Sequence, residues 1–299
     1  MLNGIINVYK EKGFTSHDVV AKLRGILHQK KIGHTGTLDP DAEGVLPVCL
    51  GKATKLCDML TDKDKTYEAV LLLGTETDTQ DVTGKTLSQY QGDFTAFSRE
   101  HIIETIESFI GAYHQIPPMY SALKVNGKKL YELAREGKEI ERQPRLVYIH
   151  NIVINKIDLP KVSITVECSK GTYIRTLCHD IGKVLGCGGC MDSLIRTKAG
   201  RFSIKESLTL DQIAEAKESL RDYIFPIDAM FEIYPDFIVA EEFNKLLYNG
   251  NKIPLKDMDA SDITNGCVRV YDSSRHFVGI YECSTDEQIL TPKKMFLDN

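Results

Sequence analysis

No apolar run in these 299 residues approaches the ~18 that a membrane-spanning helix needs. No early apolar segment leads to a small-residue cleavage site either, so neither a signal peptide nor a membrane span is expected. The chain has no internal repeat and no low-complexity tract, which sets aside repeat solenoids and disordered arrays. It has no overall excess of positive charge: 37 Lys and Arg face 42 Asp and Glu, for a net −5. Its eight cysteines are scattered, often inside apolar stretches such as Val48-Cys49-Leu50. That pattern suits reduced, buried thiols in a cytosol rather than a disulfide framework.

What remains is an ordinary globular composition, 42% apolar and 26% charged, long enough for one large domain or two. The charge is unevenly spread. Residues 120–205 hold 16 Lys and Arg against 8 Asp and Glu, whereas residues 206–299 hold 9 against 18. A basic block of this kind can bind a polyanion whatever the net charge, because phosphate contacts respond to local charge. A solvated basic face is the plainer reading.

The periodicities predict strands and helices of modest length that do not alternate strictly. "GIINVYKEKG" reads as an opening strand. "TSHDVVAKLRGILHQ" reads as a helix capped by Thr15 or Ser16, with Val19, Val20, Leu23, Ile26 and Leu27 on one face. "KTYEAVLLLG" is a strand, and "TDTQDVTGK" has turn chemistry at Asp78, Asp81 and Gly84. "FSREHIIETIESFIG" is a helix with Ser98 as cap and Gly111 as stop. Pro117 and Pro118 keep "HQIPPMYSALK" extended. "GKKLYELAREG" is a short basic helix. "RLVYIHNIVINKIDLPKVSITVECSKG" is a hairpin turning at Asp158-Leu159-Pro160, and "YIRTLCHDIGKVLG" is a helix ended by Gly186. "CMDSLIRTKAGRFSI" is a strand pair or bend, and "TLDQIAEAKESL" is helical. Most strand links look like hairpins, which favours an α+β fold on a mixed, mainly antiparallel sheet. Near residue 230 the texture changes. Residues 1–230 are expected to form one domain, and residues 231–299 a small β-rich module.

The stretch "GHTGTLDPDAEGVLPVCLGKATK", residues 33–55, imitates several ligand loops without completing one. Asp39, Asp41, Glu43 and Gly44 follow a calcium loop, but its twelfth position is Leu50 instead of Glu. "GKAT" resembles the end of a phosphate loop, but the upstream glycine is missing. Cys187 and Cys190, with Cys178 and His179 upstream, make one CxxC without a second pair, which reads as a glycine-rich turn with incidental thiols. A single reactive carboxylate, Asp39, is the remaining functional reading. Pro40 biases it to extended backbone. On these residues alone Asp39 is a turn aspartate or a catalytic one.

The stretch, with "DKTYEAVLLLGTETDTQD", "QIPPMYSALKVNGKKLYELAREG", "CSKGTYIRTLCHDIG" and "LIRTKAGRF" in that order, closely resembles the bacterial TruB-type tRNA pseudouridine-55 synthases. The resemblance covers residues 3–230, and more loosely the tail. It implies the pseudouridine synthase fold followed by a PUA-like β module. It also implies an isomerase that converts one uridine of the tRNA T loop to pseudouridine without cofactor or metal. The N1–C1′ bond breaks, the uracil turns, and C5 bonds to C1′. Carried over by motif, Asp39 is the catalytic aspartate, by attack at C1′, addition at C6 or removal of a ribose proton. Tyr67 is the tyrosine against the uracil, serving or helping in removal of the C5 proton, and Arg175 is the partner of the aspartate. Tyr173 and Leu194 line the base pocket. His34 fills the gap left by the flipped base, and Lys55 matches a lysine near the site, with a phosphate or structural role. Asp81 sits in an acidic turn that would face an arginine. The basic insertion holds Lys124, Lys128, Lys129, Arg135, Lys138, Arg142 and Arg145. It is expected to be mobile without RNA and to close over the T stem. The expected partner is the T stem-loop of tRNA, bound by a cytoplasmic monomer. A tRNA-folding chaperone is the alternative from another class. The acidic tail departs from what phosphate binding over a whole module would need.

Overall fold

The computed structural model describes residues 1–125, 127–255 and 265–297. A ten-stranded sheet forms the centre. It begins with β1 (Gly4–Lys10), whose inward and outward residues are nearly all buried, and continues through helix α1 (Ser16–Ile26). Thr15 is the cap of α1: its side chain accepts from the Asp18 N–H while Asp18 answers to the Thr15 N–H. Strands β2 (Ile32–His34) and β3 (Glu43–Leu50) flank the loop of residues 35–42. A one-turn helix α2 (Cys57–Thr61) leads into β4 (Lys65–Leu73), where Lys65, Tyr67, Ala69, Leu71 and Leu73 alternate onto the buried face.

A two-stranded ribbon, β5 (Thr75–Thr77) and β6 (Thr86–Gln89), holds the acidic turn between its strands. Helix α3 (Arg99–Glu107) is capped by Ser98, whose hydroxyl accepts from the His101 N–H. It ends at Glu107, before the expected stop. Gly111 opens the next strand, β7 (Gly111–Gln115), instead. The basic insertion forms a hairpin, β8 (Lys124–Val125) with β9 (Lys128–Lys129), and the short helix α4 (Leu130–Arg135). Leu130 is buried there, and the Leu123 and Ser121 carbonyls accept from the Leu130 and Tyr131 N–H groups.

The long hairpin is β10 (Arg145–Asp158) and β11 (Lys161–Cys168). Helix α5 (Ile174–Leu185) stops at Gly186 as read from the sequence. Strand β12 (Gly189–Ala199) is continuous and turns into β13 (Phe202–Ser203). Helix α6 (Leu210–Ala216) and strand β14 (Ile224–Phe225) complete this part. The strand order is β14-β1-β3-β12-β4-β11-β10-β7, with β2 on β3 and β13 on β12. Among the described strand pairings of this sheet, only the short β3–β12 one, Ile195 with Glu43 and Arg196 with Gly44, is parallel. The mixed, mainly antiparallel α+β sheet agrees with the hairpin-rich reading. Gly44 is required at this crossing. Its φ is +102°, and a Cβ there would lie 2.3 Å from the Arg196 carbonyl oxygen.

Two cores cover the sheet. One packs β4, β10, β11 and β12 against α3 and α5, and includes Leu38, Tyr67 and Leu194. The other packs β1 and β3 against α1 and α6. A second sheet, β15-β17-β18-β19-β16, follows from Asp236 and encloses its own core. Its strands are β15 (Asp236–Ile238), β16 (Ile253–Pro254), β17 (Gly266–Tyr271), β18 (Phe277–Ser284) and β19 (Ile289–Met295), with helix α7 (Asn244–Tyr248) after β15. Ile280 and Phe296 of this part pack with Ile5, Val45, Cys49 and Phe202 of the large sheet, so an apolar seam joins the two. No helix among the described residues is long and apolar enough to cross a membrane.

Candidate active site

The loop of residues 35–42 is pinned on both sides of Asp39. Before it, the Leu38 N–H donates to the Ser16 hydroxyl at 3.0 Å. After it, the Pro40 carbonyl accepts from the Gly13 N–H at 2.9 Å and from Lys10 Nζ at 2.9 Å. Lys10 is fully buried at the end of β1 and also donates to the Phe14 carbonyl at 2.6 Å. Burial lowers its pKa to about 8, although Asp39 and Glu43 pull the other way. This lysine was not picked out from the sequence. A buried Lys one residue from Glu11 reads as surface charge until the fold is known.

Arg175 closes the site from the first turn of α5. Its Nε lies 2.9 Å from Asp39 Oδ2, and its Nη2 donates to Oδ1 at 3.2 Å. The pair is bidentate, the geometry in which a guanidinium matches a carboxylate. The other N–H groups are used as well. Nη2 donates to the Tyr120 carbonyl at 2.8 Å, and Nη1 to the Thr79 carbonyl at 2.9 Å. Nη1 also lies 3.6 Å from Asp81 Oδ2. The acidic turn does face an arginine. Asp81 is itself buried and accepts from Thr79 Oγ1, the Thr83 N–H and Thr83 Oγ1.

The Arg175 side chain is 5% exposed and that of Asp39 is 39% exposed, so the cation is interred while the carboxylate keeps an open edge. Burial pushes the Asp39 carboxyl above its ordinary value. Arg175 opposes that strongly, Asp81 reinforces it, and Lys10 opposes it weakly. Burial outweighs the arginine in setting that direction, so the carboxylate is more basic than that of a free aspartate, while the bidentate Arg175 fixes its orientation.

Tyr67 lies on β4, buried with Leu38, Ala42 and Leu194 in one cluster. Burial raises its phenol, with Arg196 pulling it back. Arg196 is opposite Tyr67 across β12 and is 1% exposed. Its Nε donates to the Val45 carbonyl at 2.7 Å. It is a second cation that sequence reasoning missed, and only its place in a strand rich in buried residues hinted at it. Tyr173, at the start of α5, is half-buried, and burial raises its phenol too. Tyr67 and Leu194 share one apolar cluster with Leu38, and the charge of Asp39 acts on both the Tyr67 and the Tyr173 phenol, so these side chains are neighbours of the Asp39–Arg175 pair.

His34 ends β2, and its imidazole meets His17 of α1 edge to face at 5.2 Å. Burial lowers its pKa, as do His17 and Arg196, so it is neutral at pH 7. Its Nδ1 is buried without a hydrogen-bond partner among the described residues. Lys55 Nζ donates to the Met295 carbonyl of β19 at 3.0 Å, tying the large sheet to the second one. Lys124 and Lys128 are exposed on the hairpin, whereas Lys129 Nζ rests on Tyr131. Lys138 and Arg142 pair with Glu136 and Glu139. Cys178, Cys187 and Cys190 are buried, and no group of three or more His, Cys, Asp or Glu among the described residues could hold a metal ion.

The family comparisons give the class to which this sheet and this Asp–Arg pair belong, the pseudouridylate synthases. Residues 24–174 match the TruB family pseudouridylate synthase N terminal domain. Residues 175–232 match the tRNA pseudouridylate synthase B C-terminal domain, and residues 235–296 the C-terminal part of pseudouridine synthase II TruB. The chain belongs to the TruB family. It is 53% identical over 310 residues to the tRNA pseudouridine synthase B of Lachnoclostridium phytofermentans, covering 99% of this chain and 100% of that one. It is 46% identical to the Clostridium acetobutylicum protein of the same name, covering 95% and 97%. Among solved structures, one chain of a Cbf5-Nop10-Gar1 complex superposes with a TM-score of 0.70 at 28% identity, covering 98% of this chain and 85% of that one.

With Asp39 as the proposed reacting anion, its ionisation should set the acid limb of the reaction. That limb, in kcat/KM against pH, should lie above the ordinary aspartate value of 3.8. Arg175→Gln removes the main group favouring the anion, so the limb should move to higher pH. A limb that stays put or moves down in a pH–rate profile would contradict this assignment.

Proposed function

We propose that this chain isomerises uridine 55 in the T loop of tRNA to pseudouridine, as a cytoplasmic monomer. The observation that carries the reading is the bidentate Asp39–Arg175 pair beside buried Tyr67, in a TruB-family chain whose relatives bear the name tRNA pseudouridine synthase B. The reaction only rearranges atoms already in the substrate, so the chain's own side chains have to hold, orient and protonate. Asp39 serves as the anion that attacks C1′, adds at C6 or takes a ribose proton. Each route uses the ionised carboxylate that Arg175 holds. Tyr67 packs against the turning uracil. Its raised pKa keeps the phenol protonated at neutral pH, which favours packing and proton relay over action as a free base. Leu194 and Tyr173 wall the cleft and exclude water. Neutral His34, with one imidazole nitrogen unpaired, fills the space the extruded base leaves.

Residues 1–230 carry the chemistry in this reading, and residues 231–299 add a PUA-like module. The exposed Lys124 and Lys128 meet phosphate as the insertion closes over the T stem. The acidic module contributes little phosphate binding, since Arg269 and Lys293 already lie against Asp236 and Glu282.

Asp39→Asn should cut pseudouridine formation in a tRNA transcript by at least about 100-fold, with tRNA binding within about twofold of wild type. Full product formation in that variant would remove Asp39 from the chemistry. Replacing Lys124 and Lys128 with Ala should flatten the slope of log affinity against log salt by about 1 for each lysine that touches phosphate. An unchanged slope would show that the hairpin does not touch the backbone.

A further inference from the structure

Helix α5 carries Arg175, yet it begins without a side-chain cap. The first N–H groups of a helix have no partner within it. Here the residue before the helix, Tyr173, is gripped on both sides of its backbone by one distant side chain. Gln115 Oε1 accepts from the Tyr173 N–H at 2.8 Å, and Gln115 Nε2 donates to the Tyr173 carbonyl at 2.9 Å. Gln115 is 1% exposed, so both bonds are shielded from water. It is the last residue of β7, and the chain leaving it runs directly into the basic insertion. Five residues on, the Tyr120 carbonyl accepts from Arg175 Nη2 at 2.8 Å. The Ser121 and Leu123 carbonyls then bind the start of α4. A continuous set of hydrogen bonds therefore runs from the insertion to the guanidinium that orients Asp39.

We propose that Gln115 is a positioning residue for the reaction. It holds the first turn of α5, and with it Arg175, in bidentate register with Asp39, and it links the insertion to that register. This rests on the functional reading above.

Two variants test it with an unmodified tRNA transcript. Gln115→Met removes both hydrogen bonds at similar volume. Its single-turnover rate at saturating tRNA should fall about 10- to 100-fold, the cost of a small misplacement of reacting groups, while tRNA affinity changes less than about twofold. Gln115→Glu keeps the acceptor but loses the donor while ionised. Once protonated, its O–H can donate to the Tyr173 carbonyl and its other oxygen can accept from the N–H, as the amide does. The groups around position 115 are Tyr113 on β7, Asp180 bonded to Tyr113, Arg145 opposite on β10, and Tyr173 and Arg175 at α5. Burial favours the protonated form and the two arginines oppose it. The ratio of the Gln115→Glu rate to the wild-type rate should rise as pH falls.

A Gln115→Met protein with a lower Tm but an unchanged saturating rate below that Tm would overturn the proposal. So would a Gln115→Glu ratio that is flat with pH. Amide exchange at Tyr173 and Arg175, measured without RNA, should quicken in Gln115→Met, and unchanged exchange would also overturn it. Wild-type protein that makes no pseudouridine in tRNA would sink the functional reading, and the exchange result would still decide whether Gln115 positions α5.

Discussion

One guanidinium holds the site together. Asp39 and Arg175 stand 136 residues apart in sequence, and two other segments converge on the same cation. The turn around Thr79 and Asp81, the carbonyl of Tyr120 and the loop of Asp39 each supply it an acceptor. Burying an unpartnered guanidinium would cost several kcal/mol. Each of these segments must therefore be in place for the arginine to be tolerated where it is. Removing Arg175 would expose the reverse cost, Asp39 and Asp81 facing each other without a cation. Because Asp39 keeps an open edge, water screens part of that penalty. The result is a carboxyl group that is held, oriented and still reachable from solvent.

Two further buried cations serve the same end. Lys10 ties down the peptide next to Asp39, and Arg196 sits behind Tyr67 and against the loop through the Gly36 carbonyl. Their side chains replace backbone partners that a loop of glycines and prolines cannot provide for itself. The loop's irregular sequence is thus stabilised from the flanking strands. Gly44 allows β12 to approach β3 closely enough for Arg196 to reach it. The apolar seam with the second sheet lies along the same strand β3, through Val45 and Cys49.

Much of the fold was legible because its signals are local. The capping box at Thr15, the alternation of β4 and the turn after Asp158 each lie within a few residues of what they determine. The end of α3 was misplaced because Gly111 serves equally as a helix stop or a strand start, and here the pairing of β7 with β10 takes it. The site was legible in a different way. Local physics left Asp39 as a turn aspartate, and only the ordered motifs linked it to Tyr67 and Arg175. Lys10, Arg196 and Gln115 stayed hidden because long polar side chains are usually exposed, and their burial depends on partners brought together by the fold. Lys55 was read by motif alone, with a phosphate or structural role, and the structure seats it on the carbonyl of Met295.

The central claim is that this cleft rearranges one uridine of tRNA through Asp39. Mapping pseudouridine at single-nucleotide resolution on unmodified tRNA incubated with the protein tests it most directly. One modified position, in the T loop, is the predicted result. An unmodified T loop, or pseudouridine only at other positions, would contradict it.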